Sequence, residues 1–253
     1  MGAFRLLNKH CPEEYPITLY LNAHELLTIQ LTEVNLDDWA VGYLYAEGII
    51  DSPDDIIDLQ VDAYRGNIFV KVSEQFNLPA FLQRKRTITA GCGRGVTFRS
   101  LKEVGNFRKI KTSRQVTLSF LQEKMRQFHK LTPLYHKTGG MHAACIIDQK
   151  GELIVREDIG RHNAVDKVIG AALKKGLEGK DLVILTTGRI SFEMCSKVAR
   201  FGIGVAGSRT AATNLAVALG NELNIDLVGY IRGKSALVYT NGQHILKEES
   251  SSL

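Results

Sequence analysis

Cysteine is scarce in this chain and never paired: Cys11, Cys92, Cys145 and Cys195 lie far apart, with no C-x-x-C among them. A structural zinc site or a dithiol redox motif is therefore disfavoured, and thiols this sparse suit a reducing compartment better than a disulfide scaffold. No apolar run approaches the ~20 residues of a transmembrane helix, and the N-terminus lacks the apolar core of a secretory signal. A cytoplasmic protein without a membrane partner is the expectation. A Walker P-loop and the G-x-G-x-x-G fingerprint are also missing, which argues against an ordinary NTPase or dinucleotide oxidoreductase. With 253 residues, 44% hydrophobic and 23% charged, the chain suits one large soluble domain or two modest ones.

Positive charge, by contrast, is concentrated. Between Arg84 and Arg114 stand ten Lys or Arg residues against one acid, Glu103, a net +9; the whole chain is +5, so the remainder sums to −4. An excess confined to one window reads as a local site for an anionic ligand or partner rather than a nucleic-acid surface. At its centre lies Gly91-Cys92-Gly93-Arg94-Gly95. Glycines let the backbone take positive φ and leave the thiol accessible. Neighbouring cations raise the thiolate fraction, the reactive form. A buried, inert cysteine in a tight turn is the alternative, and the local charge favours the reactive one.

Hydrophobic periodicity divides the chain near residue 112. Before it, Ile17–Gln30 and Ile57–Val72 alternate as two hairpins, and Asn35 precedes a helix that Gly48 can end. Arg84–Ala90 reads as a short strand leading into the cysteine loop. This smaller N-terminal part is α+β. Apolar residues at Leu118, Leu121, Met125 and Phe128 then mark an amphipathic connecting helix. From 143 onward strands and helices alternate: strands at 143–147, 153–156, 182–186, 203–206, 225–231 and 236–240, helices at 163–175, 192–201 and 211–222. That order argues for a three-layer α/β sandwich over residues 113–253.

In an open α/β sheet, ligands sit beyond the carboxyl ends of strands. Three loops fall there: Asp158-Ile159-Gly160-Arg161-His162-Asn163, Thr186-Thr187-Gly188-Arg189-Ile190-Ser191 and Ala206-Gly207-Ser208-Arg209-Thr210. Each joins a Gly to an Arg and a hydroxyl or amide near a helix start, a combination suited to phosphate through backbone N–H groups and a bidentate guanidinium. Simple capping explains one such loop; three on one sheet edge favour a phosphate-bearing ligand. Asp158 and His162 suit a structural hydrogen-bonded cluster and a ligand or acid/base role equally. His142, three residues before Cys145, is half a metal site without a second pair and reads as a turn or core histidine. Cys145 and Cys195 read as inert core thiols.

Four stretches together resemble the FdhD/NarQ family. They are Thr138–Ala144 (TGGMHAA), Glu157–Lys167 (EDIGRHNAVDK), Thr186–Met194 (TTGRISFEM) and Leu227–Gly233 (LVGYIRG). The resemblance spans nearly the whole chain. It implies a sulfurtransferase required for formate dehydrogenase activity, with a cytidine-deaminase-like α/β fold that lacks the H-x-E and P-C-x-x-C zinc signatures of deaminases. Persulfide sulfur would pass from a cysteine desulfurase to Cys92 and on to the molybdenum bis(molybdopterin guanine dinucleotide) cofactor, for which a guanine nucleotide is a surrogate. The same resemblance makes Tyr230, Ile231, Arg232, Gly233, Lys234 and Ser235 a cofactor-binding stretch. Thr187, Gly188, Arg189, Ser208, Arg209, Asp158, Arg161 and His162 join it from the three loops.

Relatives often carry C-x-x-C in the cysteine loop, but here Gly95 takes the second position, so a relay between two loop thiols has no second partner. A one-cysteine carrier is intact. The formate dehydrogenase catalytic subunit is the implied recipient partner, and a homodimer is the expected assembly. Two other readings stand beside this one: a non-catalytic cofactor-binding and delivery module, and a zinc hydrolase on the same fold, for which the ligand set is missing. No structural metal and no nucleic acid are expected.

Overall fold

The computed structural model describes residues 9–73, 87–88, 95–96, 109–111 and 114–246. In the N-terminal part, β1 (Tyr15–Leu21) and β2 (His24–Leu31) form the first expected hairpin, turning at Asn22 and Ala23. The second joins β3 (Ile56–Asp62) to β4 (Asn67–Val72), and β4 lies parallel beside β1, giving the order β2-β1-β4-β3. Alternation buries Ile17, Leu19, Leu21, Ile68, Val70 and Val72 on one face, where α1 (Leu36–Ala46) packs Trp39, Val41 and Leu44. Asn35 is the residue before α1 as expected, but it makes no side-chain cap bond. Its φ of 54° is left-handed, whereas a capping side chain reaches the first amides from extended backbone. Residues of the expected strand at 84–90 are described only at β5 (Thr87–Ile88), which pairs with β6 (Gly95–Val96).

The larger part is a six-stranded sheet in the order β13-β12-β11-β10-β8-β9. Its strands are β8 (His142–Ile147), β9 (Leu153–Asp158), β10 (Val183–Thr186), β11 (Val205–Ser208), β12 (Asp226–Arg232) and β13 (Ser235–Val238). β10, β11 and β12 run parallel; β8 is antiparallel to β10 and to β9. A small parallel pair, β7 (Val116–Thr117) with β14 (Ile245–Leu246), ties the end of the described chain to the start of the next helix.

Successive residues of each strand enter opposite layers. Ala143, Cys145, Ile147, Val183, Leu185, Val205 and Val228 meet Leu121, Met125 and Phe128 of α2 (Leu118–Lys130), the stripe read from the sequence. Ala144, Ile146, Ile184, Ala206 and Leu227 face α4 (Arg161–Lys174), α5 (Phe192–Phe201) and α6 (Asn214–Leu223). The expected three-layer α/β sandwich is thus present. Between α2 and β8 lies a short helix absent from the sequence reading, α3 (Pro133–Thr138), with Pro at its first position and Gly139 as its left-handed end.

The two parts share a tight seam. α1 crosses α4 glycine to glycine: a Cβ on Gly42 would stand 1.8 Å from the Asp166 carbonyl oxygen, and one on Gly170 1.9 Å from that of Asp38. Charged groups clasp both ends of this crossing. Asp38 accepts from Arg156 Nε at 2.7 Å and from Lys174 Nζ at 2.9 Å. Arg200, at the end of α5, donates to the Ile50 carbonyl at 3.2 Å and to Asp51 at 3.0 Å. Ile110, on the N-terminal side of the expected division at 112, is buried in the second core and bonds the Leu223 carbonyl at 2.8 Å.

Candidate functional site

All three expected loops lie along one edge of the six-stranded sheet. Pairing of His142 with Asp158 and of Ala144 with Thr186 sets the end of β9, the start of β8 and the end of β10 side by side. β11 ends at the same edge, beside β10. Because β8 runs against its neighbours, its amino end also arrives there, carrying Gly139, Gly140 and His142. The depression at this edge has a volume of about 390 Å³ and is lined by Thr187, Arg209, Thr210 and Arg232 together with His129, Thr132, Tyr135 and His142.

Side chains rather than backbone amides face this space. Thr187 N–H donates to the Ala143 carbonyl at 3.0 Å, Gly188 N–H to Thr186 Oγ1 at 3.2 Å, Arg209 N–H to the Thr186 carbonyl at 3.1 Å and Thr210 N–H to Ser208 Oγ at 2.9 Å. Ser191 and Thr213 cap α5 and α6. The sequence suggests an anion held by backbone amides together with guanidinium groups; in the two loops after β10 and β11 these four amides are already engaged within the protein. The cationic and hydroxyl side chains that line the depression from these loops and from β12 are Arg209, Arg232, Thr187 and Thr210.

Arg232 is set by a distorted strand. Tyr230 has a φ of 51°, an uncommon conformation for a bulky side chain, where the β12–β13 register slips between Gly229 and Arg232. Gly229 permits the close approach: a Cβ there would lie 2.8 Å from the Thr210 carbonyl oxygen, to which Tyr230 N–H donates. The bulge carries Arg232 back so that its Nε donates to the Arg209 carbonyl at 2.8 Å. Tyr230 is half-exposed, Gly233 and Lys234 are exposed in the following turn, and Ser235 is exposed at the start of β13.

Four expected contact residues lie inside instead. Ile231 is 1% exposed and belongs to the α2-side core. Ser208, fully buried, donates to the Gly188 carbonyl at 2.7 Å and so locks two loops together. Asp158, also fully buried, pairs with Lys167 at 2.7 Å and accepts from the Thr32 and Gly160 amides and from Asn163. It is the structural cluster, one of the two readings the sequence left open. His162 sits in the first turn of α4, its Nε2 3.3 Å from Ser191 Oγ and 3.5 Å from Glu193. Burial, with Lys197 and Arg161 close by, holds its pKa down at about 2. The imidazole is therefore neutral, and its contact with Glu193 is a hydrogen-bonding approach rather than an ion pair.

Arg161 lies across Gly188, where a Cβ would meet the Arg161 Cβ at 2.8 Å, and Arg189 is exposed. His142 has its Nδ1 3.4 Å from Thr187 Oγ1. Burial and the Arg161 charge push its pKa below the usual imidazole value. The sequence suggests a turn or core role for His142, yet it lines the depression. The signal for this is the hairpin turn at 148–151, which makes β8 run opposite to β9 and sends its first residue to the edge where β9 ends.

Cys145 and Cys195 are buried, and burial drives both thiols upward, that of Cys195 to about 12. Neither can supply a thiolate at neutral pH. Cys11 is exposed, and Cys92 lies outside the described residues. Among the described residues no three His, Cys, Asp or Glu side chains gather as metal ligands, and no helix is long and apolar enough to cross a membrane.

The model of the FdhD/NarQ family matches residues 12–246. The chain belongs to the FdhD/NarQ family. Within it, "Sulfur carrier protein FdhD" from Listeria monocytogenes serotype 4b is 37% identical over 247 residues, covering 96% of this chain and 94% of that one. The protein of the same name from Bacillus pumilus is 32% identical over 246 residues, covering 96% and 93%. A crystal structure of "a putative formate dehydrogenase accessory protein" from Desulfotalea psychrophila superposes with a TM-score of 0.77 at 26% identity, covering 95% of this chain and 92% of that one.

Proposed function

We propose that this FdhD/NarQ protein is a sulfurtransferase serving formate dehydrogenase, with Cys92 as its covalent carrier and the molybdenum bis(molybdopterin guanine dinucleotide) cofactor as its substrate. The observation that carries the reading is the edge depression walled by Arg209 and Arg232, in a chain related along its length to proteins named sulfur carriers. Its arginines and the Thr187 hydroxyl suit the phosphates of a guanine dinucleotide.

The loading step is an exchange at sulfur. The Cys92 thiolate attacks the terminal sulfur of a cysteine desulfurase persulfide; a new S–S bond forms, the donor's S–S bond breaks, and the donor thiolate leaves. Electrons and atoms balance without another reactant. Local cations around Cys92 favour the attacking thiolate. The carried sulfur then goes to the cofactor before its insertion into the formate dehydrogenase catalytic subunit, and a homodimer would present two such sites.

A non-catalytic role in holding and delivering the cofactor is the second reading, favoured by Gly95, which leaves the loop one thiol. Activation of formate dehydrogenase in cells lacking their own family member separates the two. The sulfurtransferase reading expects activation by the wild-type protein and none by Cys92→Ala at equal abundance. Full activation by Cys92→Ala would leave only the delivery role.

A further inference from the structure

Arg209 and Arg232 wall two depressions, not one. The second, of about 400 Å³, opens on their other side against α2 and is lined by Gln122, Arg126 and Lys130. These three residues recur at intervals of four and therefore share one flank of the helix, beside the Leu121, Met125 and Phe128 stripe that packs on the sheet. His129 lines both depressions.

The charge on this flank is uncompensated. Elsewhere, four buried or half-buried cations have carboxylate partners: Lys167 with Asp158, Lys197 with Asp166, Arg156 with Asp38 and Arg200 with Asp51. Among the described residues Arg126, Lys130, Arg209 and Arg232 form no ion pair, and no carboxylate lines either depression. Four like charges converging on one groove repel each other and raise the local concentration of anions. The carboxyl end of α2 adds partial negative charge nearby, which four full positive charges outweigh.

We infer that the ligand site continues past the Arg209–Arg232 wall onto α2, where Arg126 and Lys130 receive a diphosphate group. The inference rests on the proposed guanine-dinucleotide reading of the first depression but does not depend on Cys92 chemistry. Two depressions sharing one arginine wall suit an extended phosphate-bearing ligand better than a single phosphate.

Calorimetric titration with GDP, guanosine and inorganic pyrophosphate tests it on the full-length protein. Both α2 residues are exposed, so Arg126→Ala/Lys130→Ala should fold and melt as the wild type does. GDP and pyrophosphate binding should weaken at least tenfold in this variant, about the loss of one charge-assisted hydrogen bond, while guanosine binding stays within twofold. Lys71→Ala/Lys150→Ala removes equal charge from exposed positions off the groove and should leave GDP binding within twofold. Unchanged GDP affinity in the α2 variant overturns the inference, as does an equal loss in the Lys71/Lys150 control or a wild type that binds neither GDP nor pyrophosphate. A persulfide-competent protein with unaltered α2-variant affinity would overturn this inference alone and leave the proposed function standing.

Discussion

Replacing Lys167 with Met should destabilise the fold without touching the ligand groove. Lys167 is fully buried in α4, and its ammonium meets Asp158 at 2.7 Å and the Thr32 carbonyl at 2.8 Å. Burial pulls its pKa below the usual lysine value while the Asp158 carboxylate holds it up. Methionine fills much of the same space but leaves the Asp158 carboxylate buried without its counter-charge, and that loss costs about 3–5 kcal/mol. At roughly 2–4 °C per kcal/mol for a chain of this size, the melting temperature should fall by roughly 6–20 °C. Circular dichroism melts against Lys174→Met supply the contrast. Lys174 pairs with Asp37 and Asp38 nearer the surface, where an ion pair contributes only about 0–1 kcal/mol. GDP affinity of the folded Lys167→Met protein should match the wild type, because neither Lys167 nor Asp158 lines either depression. A melting temperature within about 2 °C of wild type would refute the reasoning, since a buried pair costs far more to break.

Two further outcomes follow from buried groups. The unfolded chain protonates His162 below pH 6.5, whereas the folded chain keeps it neutral down to about 2. Its contribution is therefore full above pH 6.5 and is lost as pH falls, at about 1.4 kcal/mol per unit, or about 2 kcal/mol by pH 5. Urea unfolding between pH 7 and 5 should show a shallower decline in His162→Gln; superimposable profiles would contradict a neutral buried imidazole. Gly170→Ala drives a methyl into the Asp38 carbonyl oxygen, 1.9 Å from the ideal Cβ position. Backbone cannot step aside as a flexible side chain can, so a loss of about 1–3 kcal/mol or more is expected in the same assay. An unaltered melt would show that α1 and α4 do not cross as described.

Much of this architecture was legible because burial imposes a period. Leu118, Leu121, Met125 and Phe128 announced α2, and two alternating runs announced the N-terminal hairpins. The short β10 was plain from continuous apolar residues. Helix α3 has start and stop signals in Thr132-Pro133 and Gly139 but is only six residues long, too short for a periodic stripe. Boundaries moved where propensity yielded to pairing. β11 runs to Ser208 rather than 206 because it must match β10 to Thr186, and this buries a serine expected to meet ligand.

At the candidate site, the sequence indicates which loops share one sheet edge but not which atoms they present there. Arg209 and Arg232 line the groove, while Asp158 and Ser208 turn inward because hydrogen bonds to Thr32 and Gly188, 20 or more residues away in sequence, hold them there, and Ile231 turns inward by strand alternation onto the α2-side core. Arg126 and Lys130 were hidden for the same reason. On a helical wheel they are ordinary solvated charges, and only the β12 bulge that brings Arg232 beside them makes a groove.

The sulfur-carrier account stands or falls on Cys92, and intact-mass analysis after incubation with a cysteine desulfurase and free cysteine addresses it directly. The account predicts a gain of about 32 Da, one sulfur atom held on the reactive thiolate. That gain should be released by reductant and absent from Cys92→Ala. A wild-type protein that gains no such mass, or a Cys92→Ala variant that gains it equally, would contradict the account.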